Sequence, residues 1–570
     1  MPTRNRGFAL IAAIILIVVA AAMAVVMATL VSSSSQSGAK HISSAQALFI
    51  AEAGLEKAIR QRSLDNTYVG EGPTAMGQGS YTITVFNTDF SGVALPSGQR
   101  RLRSVGQFDT ATRTVEAIVR TGAAMMVYAK DTPTAPPASD VRGIPFFRQW
   151  NNDTYAWGPE QQANDVGLNI RYIVLKFART RNEAILGTVN SSGQIHVQVW
   201  NGTAWGAIRL LSTVAVANSQ YRGFDIEYET QGDRAVVVFN NADNRNPAYQ
   251  IWDGTAWTAT VGLNSAANLN GNYNTTGNFV PRWIELAPNP LGNSNEIVLM
   301  TLDSSSDVYG VRWNGTAWVR MAAATTSWDT AASTNARKAM DVAYEQQTGR
   351  AMFIWGNNVN DQQLWRTWDG GTNTLSGIST LTIGDMNSRA NWIRLVPRPN
   401  SNQMMYVVQD NGLDLNTALW DGAAFTVHPE HDPSTENAVS MNFDFVFETH
   451  PARAGRGWLV WGDGSNQISA REWAGAGWNA TNSLAGTDDT SYVRLVARPG
   501  SGVVFGGTYE RQGQGGPDDI FEVHQTGGSG TWTAPVAVWN GPTIADPVHQ
   551  RVDIAAERYK PILAWREVFP

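Results

Sequence analysis

The sequence contains no cysteine among its 570 residues, which excludes disulfide bonds, thiolate metal ligands and a cysteine nucleophile. Charged residues are also scarce, at 16%, and the formal net charge is −7, so the chain lacks the basic excess typical of nucleic-acid-binding proteins. The seven histidines show no metal-ligand spacing. The sequence therefore predicts no cofactor and no nucleic-acid partner.

Catalytic motifs are missing as well. The chain has no G-x-S-x-G, H-E-x-x-H or P-loop pattern. By contrast, glycine and tryptophan are abundant, with 53 and 22 copies, and hydrophobic residues make up 43%. Glycine at this level favours many tight turns, and tryptophan at this level favours many similar packing positions. The composition predicts a folded chain of two or more domains, with a repeated β architecture and no enzyme activity.

The N-terminal region begins with an uncharged apolar run from Phe8 to Leu30. In a helix this run spans roughly 35 Å, enough to cross a hydrocarbon core of about 30 Å. Arg4 and Arg6 precede it and would remain on the cytoplasmic side. Apolar residues then recur at helical spacing after Ala45, which predicts one helix over residues 8–63. A plain signal peptide or signal anchor is the alternative.

Three short motifs follow in order: AEAGLEKAIRQ from Ala51, GSYTITV from Gly79 and RRLRSVGQFDTATRTVEAIVR from Arg100. Together with a basic leader that ends at Gly7-Phe8, they resemble PilX- and MshP-type minor pilins of type IV pili over about the first 120 residues. The resemblance implies an α+β pilin-like stalk, with the long helix packed on a small antiparallel sheet in residues 64–129.

The resemblance also implies how this region is processed. Residues 1–7 would be a leader that prepilin peptidase cuts between Gly7 and Phe8, and Phe8 would be N-methylated. Partners would be other pilins or pseudopilins, first in the inner membrane and then at the cell surface. Pilins usually carry a glutamate where this chain has Ala12, and a subunit without it can occupy a filament tip. A protein that is anchored and never enters a filament remains the alternative, and a pilus is not distinguished from a type II secretion pseudopilus.

A proline-rich linker is predicted at residues 130–139, and a repeat follows in residues 140–570. Clear and weaker copies of a W-[N/D]-G motif recur about every 50 to 60 residues. Their first aromatic residues are Trp150, Trp200, Trp252, Trp313, Trp368, Trp420 and Trp473. Asn-Gly and Asp-Gly between two strands predict hairpins with type I′ turns, in which both central residues have positive φ. These tryptophans are interpreted as packing residues, with sugar-binding platforms as the alternative.

Two alternating strand pairs precede these copies. One begins with segments such as RWIELAPNP at Arg282, and the other with segments such as FDIEYE at Phe224. Four strands in about 52 residues have the size of a propeller blade. The first copy lacks its opening strands, whereas VDIAAERYKPILAWRE at the C-terminus supplies two strands without a hairpin. The sequence predicts an eight-bladed β-propeller in alternating pairs whose ends close one blade, with an open solenoid as the alternative.

Acidic residues recur in alternate blades. They are Asp225, Asp341, Asp444 and Asp553, each followed four residues later by Glu229, Glu345, Glu448 or Glu557. A ring of these carboxylates would suit a cation such as calcium. The interpretation favoured here is structural, with each aspartate bonding neighbouring backbone. A glycosidase needs two carboxylates in different environments, and a repeated aspartate is the opposite pattern.

These observations predict a minor pilin-like surface protein that presents a propeller for adhesion or binding. Its ligand would be a surface, a glycan or a protein. An exported, membrane-tethered propeller hydrolase and an envelope scaffold are the alternatives.

Overall fold

The computed structural model describes residues 6–64, 67–96, 98–120, 124–130, 141–213, 221–241, 247–263, 280–321, 327–334, 336–464, 467–484, 490–499, 501–510, 519–525, 530–540, 550–556 and 562–568. The chain divides into two compact units. The helical unit comprises Met1–Thr121 with Pro561–Pro570, and the repeat unit comprises Gly122–Lys560. Of the predicted leader the structure describes Arg6 and Gly7, and of the predicted linker it describes Lys130 alone.

The helical unit contains one long helix, α1 (Arg6–Leu64). Its side chains are exposed from Ala13 to Ile42, and this part is long and apolar enough to cross a membrane. From Ala47 onward one face of the helix is buried, because apolar residues there recur every three or four positions. The predicted long helix is confirmed, and its two halves differ in burial.

A five-stranded antiparallel sheet completes the helical unit, in the order β1-β2-β3-β4-β39. Its strands are β1 (Gly70–Met76), β2 (Gly79–Phe86), β3 (Gln99–Phe108), β4 (Ala111–Arg120) and β39 (Ile562–Val568). The helix packs on β2, β3 and β4. Gly106 in β3 permits this close approach, because a Cβ there would lie 2.2 Å from the Ala47 carbonyl oxygen.

The C-terminal strand β39 belongs to this sheet, whereas the sequence analysis placed residues 562–568 in the repeat. Strand β39 pairs with β4, and its Arg566 reaches Glu116 on that strand, with Nη2 2.6 Å from Oε2. Arg103 contacts the other carboxylate oxygen of Glu116 at 2.6 Å. Burial alone would raise the pKa of Glu116, but the two arginines outweigh it and lower that pKa. The buried carboxylate thus gives β39 a specific partner here.

The described part of the repeat unit forms eight antiparallel sheets. One sheet joins both ends of the unit: β38 (Val552–Ala556), β5 (Ala124–Ala129), β6 (Pro145–Asn151) and β7 (Ala156–Trp157), with β8 (Gln161–Gln162) beside β6. The second sheet contains β9 (Ile170–Phe177), β10 (Ala184–Asn190), β11 (Ile195–Trp200) and β12 (Arg209–Ser212). The third contains β13 (Phe224–Tyr228), β14 (Ala235–Asn240), β15 (Pro247–Trp252) and β16 (Val261–Gly262). The fourth contains β17 (Pro281–Pro288), β18 (Ile297–Asp303), β19 (Val308–Trp313) and β20 (Trp318–Val319).

Four more sheets follow in chain order. They are β21 (Met340–Tyr344), β22 (Arg350–Gly356), β23 (Gln362–Asp369) and β24 (Thr374–Leu375), with β25 (Ser379–Thr382) beside β23; β26 (Ala390–Pro397), β27 (Met404–Asp410), β28 (Leu415–Trp420) and β29 (Phe425–Val427); β30 (Phe443–Phe447), β31 (Gly457–Asp463), β32 (Gln467–Trp473) and β33 (Trp478–Leu484); and β34 (Thr490–Ala497), β35 (Val504–Glu510), β36 (Asp519–Gln525) and β37 (Val536–Asn540). A short 3-10 helix, Pro451–Arg453, follows β30.

Each sheet begins with a strand that contacts the beginning strand of the next sheet. We call these the leading strands, and their contacts follow the order β9, β13, β17, β21, β26, β30, β34, β38 and again β9. The predicted repeated all-β architecture after a long N-terminal helix is confirmed. The number of blades and the closure of the ring stay predictions.

The sheet made from both ends differs from the predicted one. Its second strand is β5, which the sequence analysis assigned to the pilin-like region at residues 64–129. Only β38 comes from the C-terminal segment, since β39 pairs in the helical unit. The six residues of β5 are all buried, as expected of a strand enclosed on both faces.

The predicted type I′ turns are wrong. In the copy at Trp200, four residues separate Trp200 from its bridge partner Trp205, and only Gly202 has a positive φ, of 97°. The Asn201 side chain accepts hydrogen bonds from the backbone N–H groups of Thr203 and Ala204, at 3.0 and 2.9 Å. Equivalent Asn or Asp bonds recur at positions 253, 314 and 421. The Asn or Asp is therefore selected for its side-chain acceptor and not for a left-handed backbone.

Candidate functional site

Four aromatic residues occupy equivalent positions on alternate leading strands. They are Tyr172 on β9, Trp283 on β17, Trp392 on β26 and Tyr492 on β34. All four are buried, and all four line one cavity. The Trp283 ring meets those of Tyr172 and Trp392 edge to face, with centroid distances of 6.1 and 5.7 Å. We call them the aromatic layer.

The cavity has an empty volume of about 690 Å³, counting the solvent space at its mouth. Side chains two residues apart on a strand share a face, so residues two and four positions after the aromatic layer also face this region. Eight charged residues also line the cavity: Lys176, Arg222, Asp225, Glu285, Lys338, Arg394, Arg494 and Asp553.

The four predicted aspartates lie beside this cavity and make the same contact. Each accepts a hydrogen bond from the backbone N–H of a leucine on the next leading strand, at 2.8 to 2.9 Å. The pairs are Asp225 with Leu286, Asp341 with Leu395, Asp444 with Leu495 and Asp553 with Leu175. These bonds tie neighbouring sheets together, which is a scaffold contact.

The repeated glutamates also hold the scaffold. Glu229 accepts the indole N–H of Trp313 at 2.7 Å, and Glu345 accepts that of Trp420 at 2.8 Å. Each glutamate also pairs with the arginine five residues later in the chain: Arg234, Arg350 and, for Glu448, Arg453. Glu557 lies outside the described residues.

The position two residues after the aromatic layer departs from the repeat. Arg394 and Arg494 occupy it in two sheets, and both contact Asp444, at 2.9 and 3.3 Å. The two other sheets carry Val174 and Glu285 at the same position. Asp225 lies on the sheet between those two, so neither neighbouring leading strand offers it an arginine at this position.

Other cations compensate on the Asp225 side. The Arg222 guanidinium lies 3.8 Å from Asp225 and 2.6 Å from Glu285, and the Lys338 amine lies 3.0 Å from Glu285. Burial raises the pKa of Asp225 to about 6, because Arg222 and Lys176 offset the burial only in part. Burial would also raise the pKa of Glu285, but Arg222 and Lys338 outweigh it and lower that pKa to about 2. Lys176 contacts Glu227.

The hairpin tryptophans predicted from the sequence do not line the cavity. Six of them pack against the second aromatic residue of their own hairpin, for example at 5.4 Å between the ring centroids of Trp200 and Trp205 and 5.4 Å between those of Trp473 and Trp478. Trp150 pairs with Trp157 in the same way, at 5.4 Å. The seventh, Trp368, pairs with Leu375. Six of the seven are buried, and Trp252 is half-buried.

The sequence did not predict the aromatic layer or the cations that line the same cavity. A comparison of equivalent positions would have indicated them: Lys176 stands where the three related strands have Ala287, Val396 and Val496. A repeat position that is apolar in three copies and charged in the fourth is not required by the scaffold. Gly7, Phe8 and Ala12 lie within α1.

A cation at the repeated aspartates would have to compete with bound arginines. Asp341, Asp444 and Asp553 each have a guanidinium within 4 Å. Among the residues that the structure describes, no group of three or more His, Asp or Glu side chains is arranged to hold a metal ion.

No family model and no curated protein matches this chain. Among solved structures it is similar to the BP39L lectin from Burkholderia pseudomallei, at 13% identity and a TM-score of 0.41, covering 65% of this chain and 99% of the lectin. It is also similar to the Aleuria aurantia lectin, a six-bladed β-propeller, at 10% identity and a TM-score of 0.28, covering 62% and 96%. A BBS1N structure in complex with ARL6DN matches at 9% identity and a TM-score of 0.37, covering 60% and 89%. These TM-scores are low, so the fold description rests on strand pairing and not on this likeness.

Proposed function

We propose that the chain is a membrane-anchored surface protein whose repeat unit is an eight-bladed propeller that binds a ligand without turning it over. The cavity with its aromatic layer carries this proposal. Aromatic rings and charged groups that converge on one volume supply both the apolar and the polar contacts of a ligand site. The motifs that would indicate a nucleophile or a catalytic metal are missing from the sequence.

The eight-bladed ring is supported by the order of the leading strands. Their contacts run through all eight sheets and return from β38 to β9. Closure would leave no unpartnered sheet at either end of the repeat, which limits aggregation through exposed edges.

Ring closure can be tested with an engineered disulfide, because the chain has no cysteine of its own. Ala124 in β5 and Ala556 in β38 are direct partners. The double variant Ala124→Cys/Ala556→Cys should cross-link on mild oxidation and migrate faster on a non-reducing gel. Ala124→Cys/Ala351→Cys, with its second cysteine in another sheet, is the matched control. Equal cross-linking of both variants would contradict the closed ring.

The anchor proposal adopts the pilin-like plan. Its support is the division of α1 into an exposed apolar half and a half packed on a small sheet. The proposed route is cleavage between Gly7 and Phe8 by prepilin peptidase, N-methylation of Phe8, and assembly with pilins or pseudopilins. Ala12, in place of the usual glutamate, favours a position at the filament tip.

N-terminal mass spectrometry tests this route. Protein from sheared surface filaments should begin with N-methylated Phe8, and the variant Gly7→Leu should stay uncut in the membrane fraction. A wild-type chain that begins at Met1 and occurs only in membranes would reduce α1 to a signal anchor. Surface attachment of cells with and without the protein then tests the binding role.

A glycosidase-like hydrolase is the second candidate, because one observation favours it. Asp225 and Glu285 line the same cavity and share Arg222, yet their pKa values are shifted apart, to about 6 and about 2. Incubation of the intact chain with aryl glycosides distinguishes the candidates. A binding protein releases no product, whereas a hydrolase releases product that Asp225→Asn abolishes.

A further inference from the structure

Three donors in the cavity wall have no hydrogen-bond partner within the part of the chain that the structure describes. They are the indole Nε1 of Trp283, the hydroxyl of Tyr492 and the guanidinium Nε of Arg222. These residues are only 3%, 3% and 8% exposed. A buried donor left without an acceptor costs roughly 1–3 kcal/mol, so a ligand oxygen that accepted from these donors would recover that cost.

The equivalent tryptophan in another sheet is different. The indole of Trp392 donates to the Ala438 carbonyl oxygen at 3.1 Å, so its donor is satisfied by the fold. Burial raises the pKa of Tyr492, which keeps its hydroxyl protonated and able to donate. The unmatched donors therefore belong to particular positions and not to the repeat as a whole.

The charges around the cavity nearly cancel. Five cations contact this region: Lys176, Arg222, Lys338, Arg394 and Arg494. They pair with six carboxylates: Asp225, Glu227, Glu285, Asp341, Asp444 and Asp553. A fixed net charge on the ligand would have to break these pairs, which is costly in a buried environment. The balance favours a neutral ligand.

We propose that this cavity binds one neutral sugar residue, with sugar oxygens accepting from Trp283, Tyr492 and Arg222 and with sugar C–H groups against the aromatic layer. A sugar hydroxyl both accepts and donates, so it can also donate to Asp225 or Glu285 in the same small volume. This inference rests on the proposed binding function and assigns its ligand class and its site.

The test uses the intact chain in detergent micelles. Binding of the methyl glycosides of glucose, galactose, mannose and fucose is measured by saturation-transfer NMR, with glucuronate as the matched charged sugar. At least one neutral glycoside should bind, and glucuronate should bind more weakly. Tyr492→Phe and Trp283→Phe should each weaken binding roughly tenfold, as loss of one hydrogen bond from a donor of this kind predicts.

The chain offers matched controls for both substitutions. Tyr406 and Trp318 are also buried, and their donors have no partner among the described residues, but neither lines the cavity. Tyr406→Phe and Trp318→Phe should leave sugar affinity unchanged. Thermal unfolding of all four variants shows that each one folds.

Four outcomes would overturn the inference. Unchanged sugar affinity in Tyr492→Phe and Trp283→Phe would place the sugar elsewhere, and glucuronate binding as tightly as a neutral glycoside would exclude the neutral class. Surface attachment without binding of any of these sugars would indicate another ligand, such as a peptide, while the proposed binding function stands. If the wild-type chain neither mediated surface attachment nor bound any of these sugars, the inference and the proposed function would both be overturned.

Discussion

Asp444 and Asp225 occupy the same position in two sheets of the repeat unit, yet their surroundings differ. Asp444 accepts backbone bonds from Leu495 and Phe445 and contacts two arginines. Asp225 accepts the same bond from the next strand but lies beside Glu285, at a position where two other sheets have Arg394 and Arg494. Asp444 thus has two arginines within 3.3 Å, whereas the Arg222 guanidinium lies 3.8 Å from Asp225.

The difference separates scaffold from site. A repeat has to preserve the residues that join one sheet to the next, so an unchanged position indicates a structural role. A position that departs from the repeat while it faces a cavity is available for binding. The Asp225 side of the cavity has two such departures, Lys176 and Glu285, and Lys176 contacts Glu227.

The largest expected effect is the loss of Asp444. Asp444→Asn leaves Arg394 and Arg494 without their shared buried carboxylate, and should lower the free energy of unfolding by about 3–5 kcal/mol. Asp225→Asn keeps an oxygen that accepts from Leu286 and should cost less than about 1 kcal/mol at pH 7. Urea unfolding of the intact chain in detergent measures both. Equal costs would remove the distinction between the two positions.

A pH series sharpens the same contrast. The pKa of Asp225 in the folded chain is raised to about 6, above the ordinary value of 3.8. Because the folded state then binds this proton more tightly than the unfolded state, its contribution to stability is present below about pH 4 and is lost as the pH rises to about 6. The wild-type free energy of unfolding should therefore fall relative to Asp225→Asn by up to about 3 kcal/mol over this window. A constant difference between the two chains from pH 4 to pH 7 would contradict the raised pKa.

The smallest effect concerns the repeated glutamates. Trp420→Phe removes the indole donor that Glu345 accepts from, whereas Trp318→Phe removes a buried indole donor that has no partner among the described residues. Both lose similar packing, so their difference isolates the hydrogen bond. Trp420→Phe should be less stable than Trp318→Phe by about 1–2 kcal/mol in thermal or urea unfolding. Indistinguishable variants would mean that the Glu345 bond adds nothing to the scaffold.

The sequence predicted the features that repeat. Hairpin motifs and alternating strand segments at regular spacing indicated four-stranded sheets, because each local pattern is read several times along the chain. The positions of Asp225, Asp341, Asp444 and Asp553 in alternate sheets came from the same periodicity. The turn type was wrong because Asn-Gly alone does not distinguish a left-handed asparagine from one whose side chain accepts backbone bonds.

The sequence predicted that both ends of the repeat contribute to one sheet, but it did not identify which distant strands pair there. Strands β5 and β38 pair across more than four hundred residues, and no local pattern identifies that partner. ILAWREV alternates like a repeat strand, but its place beside Glu116 depends on a buried carboxylate that is visible only in three dimensions. The aromatic layer was missed for a related reason, since its four members lie at least one hundred residues apart along the chain and meet only when the sheets assemble.

The pairing of β39 with β4 has a mechanical consequence. The chain leaves the helical unit after Arg120 and returns at Ile562, and Ile562 pairs with Val119. Both connections to the repeat unit therefore start at the same end of two adjacent strands. When α1 is held in a membrane or filament and the repeat unit is pulled by what it binds, the tension divides between two tethers.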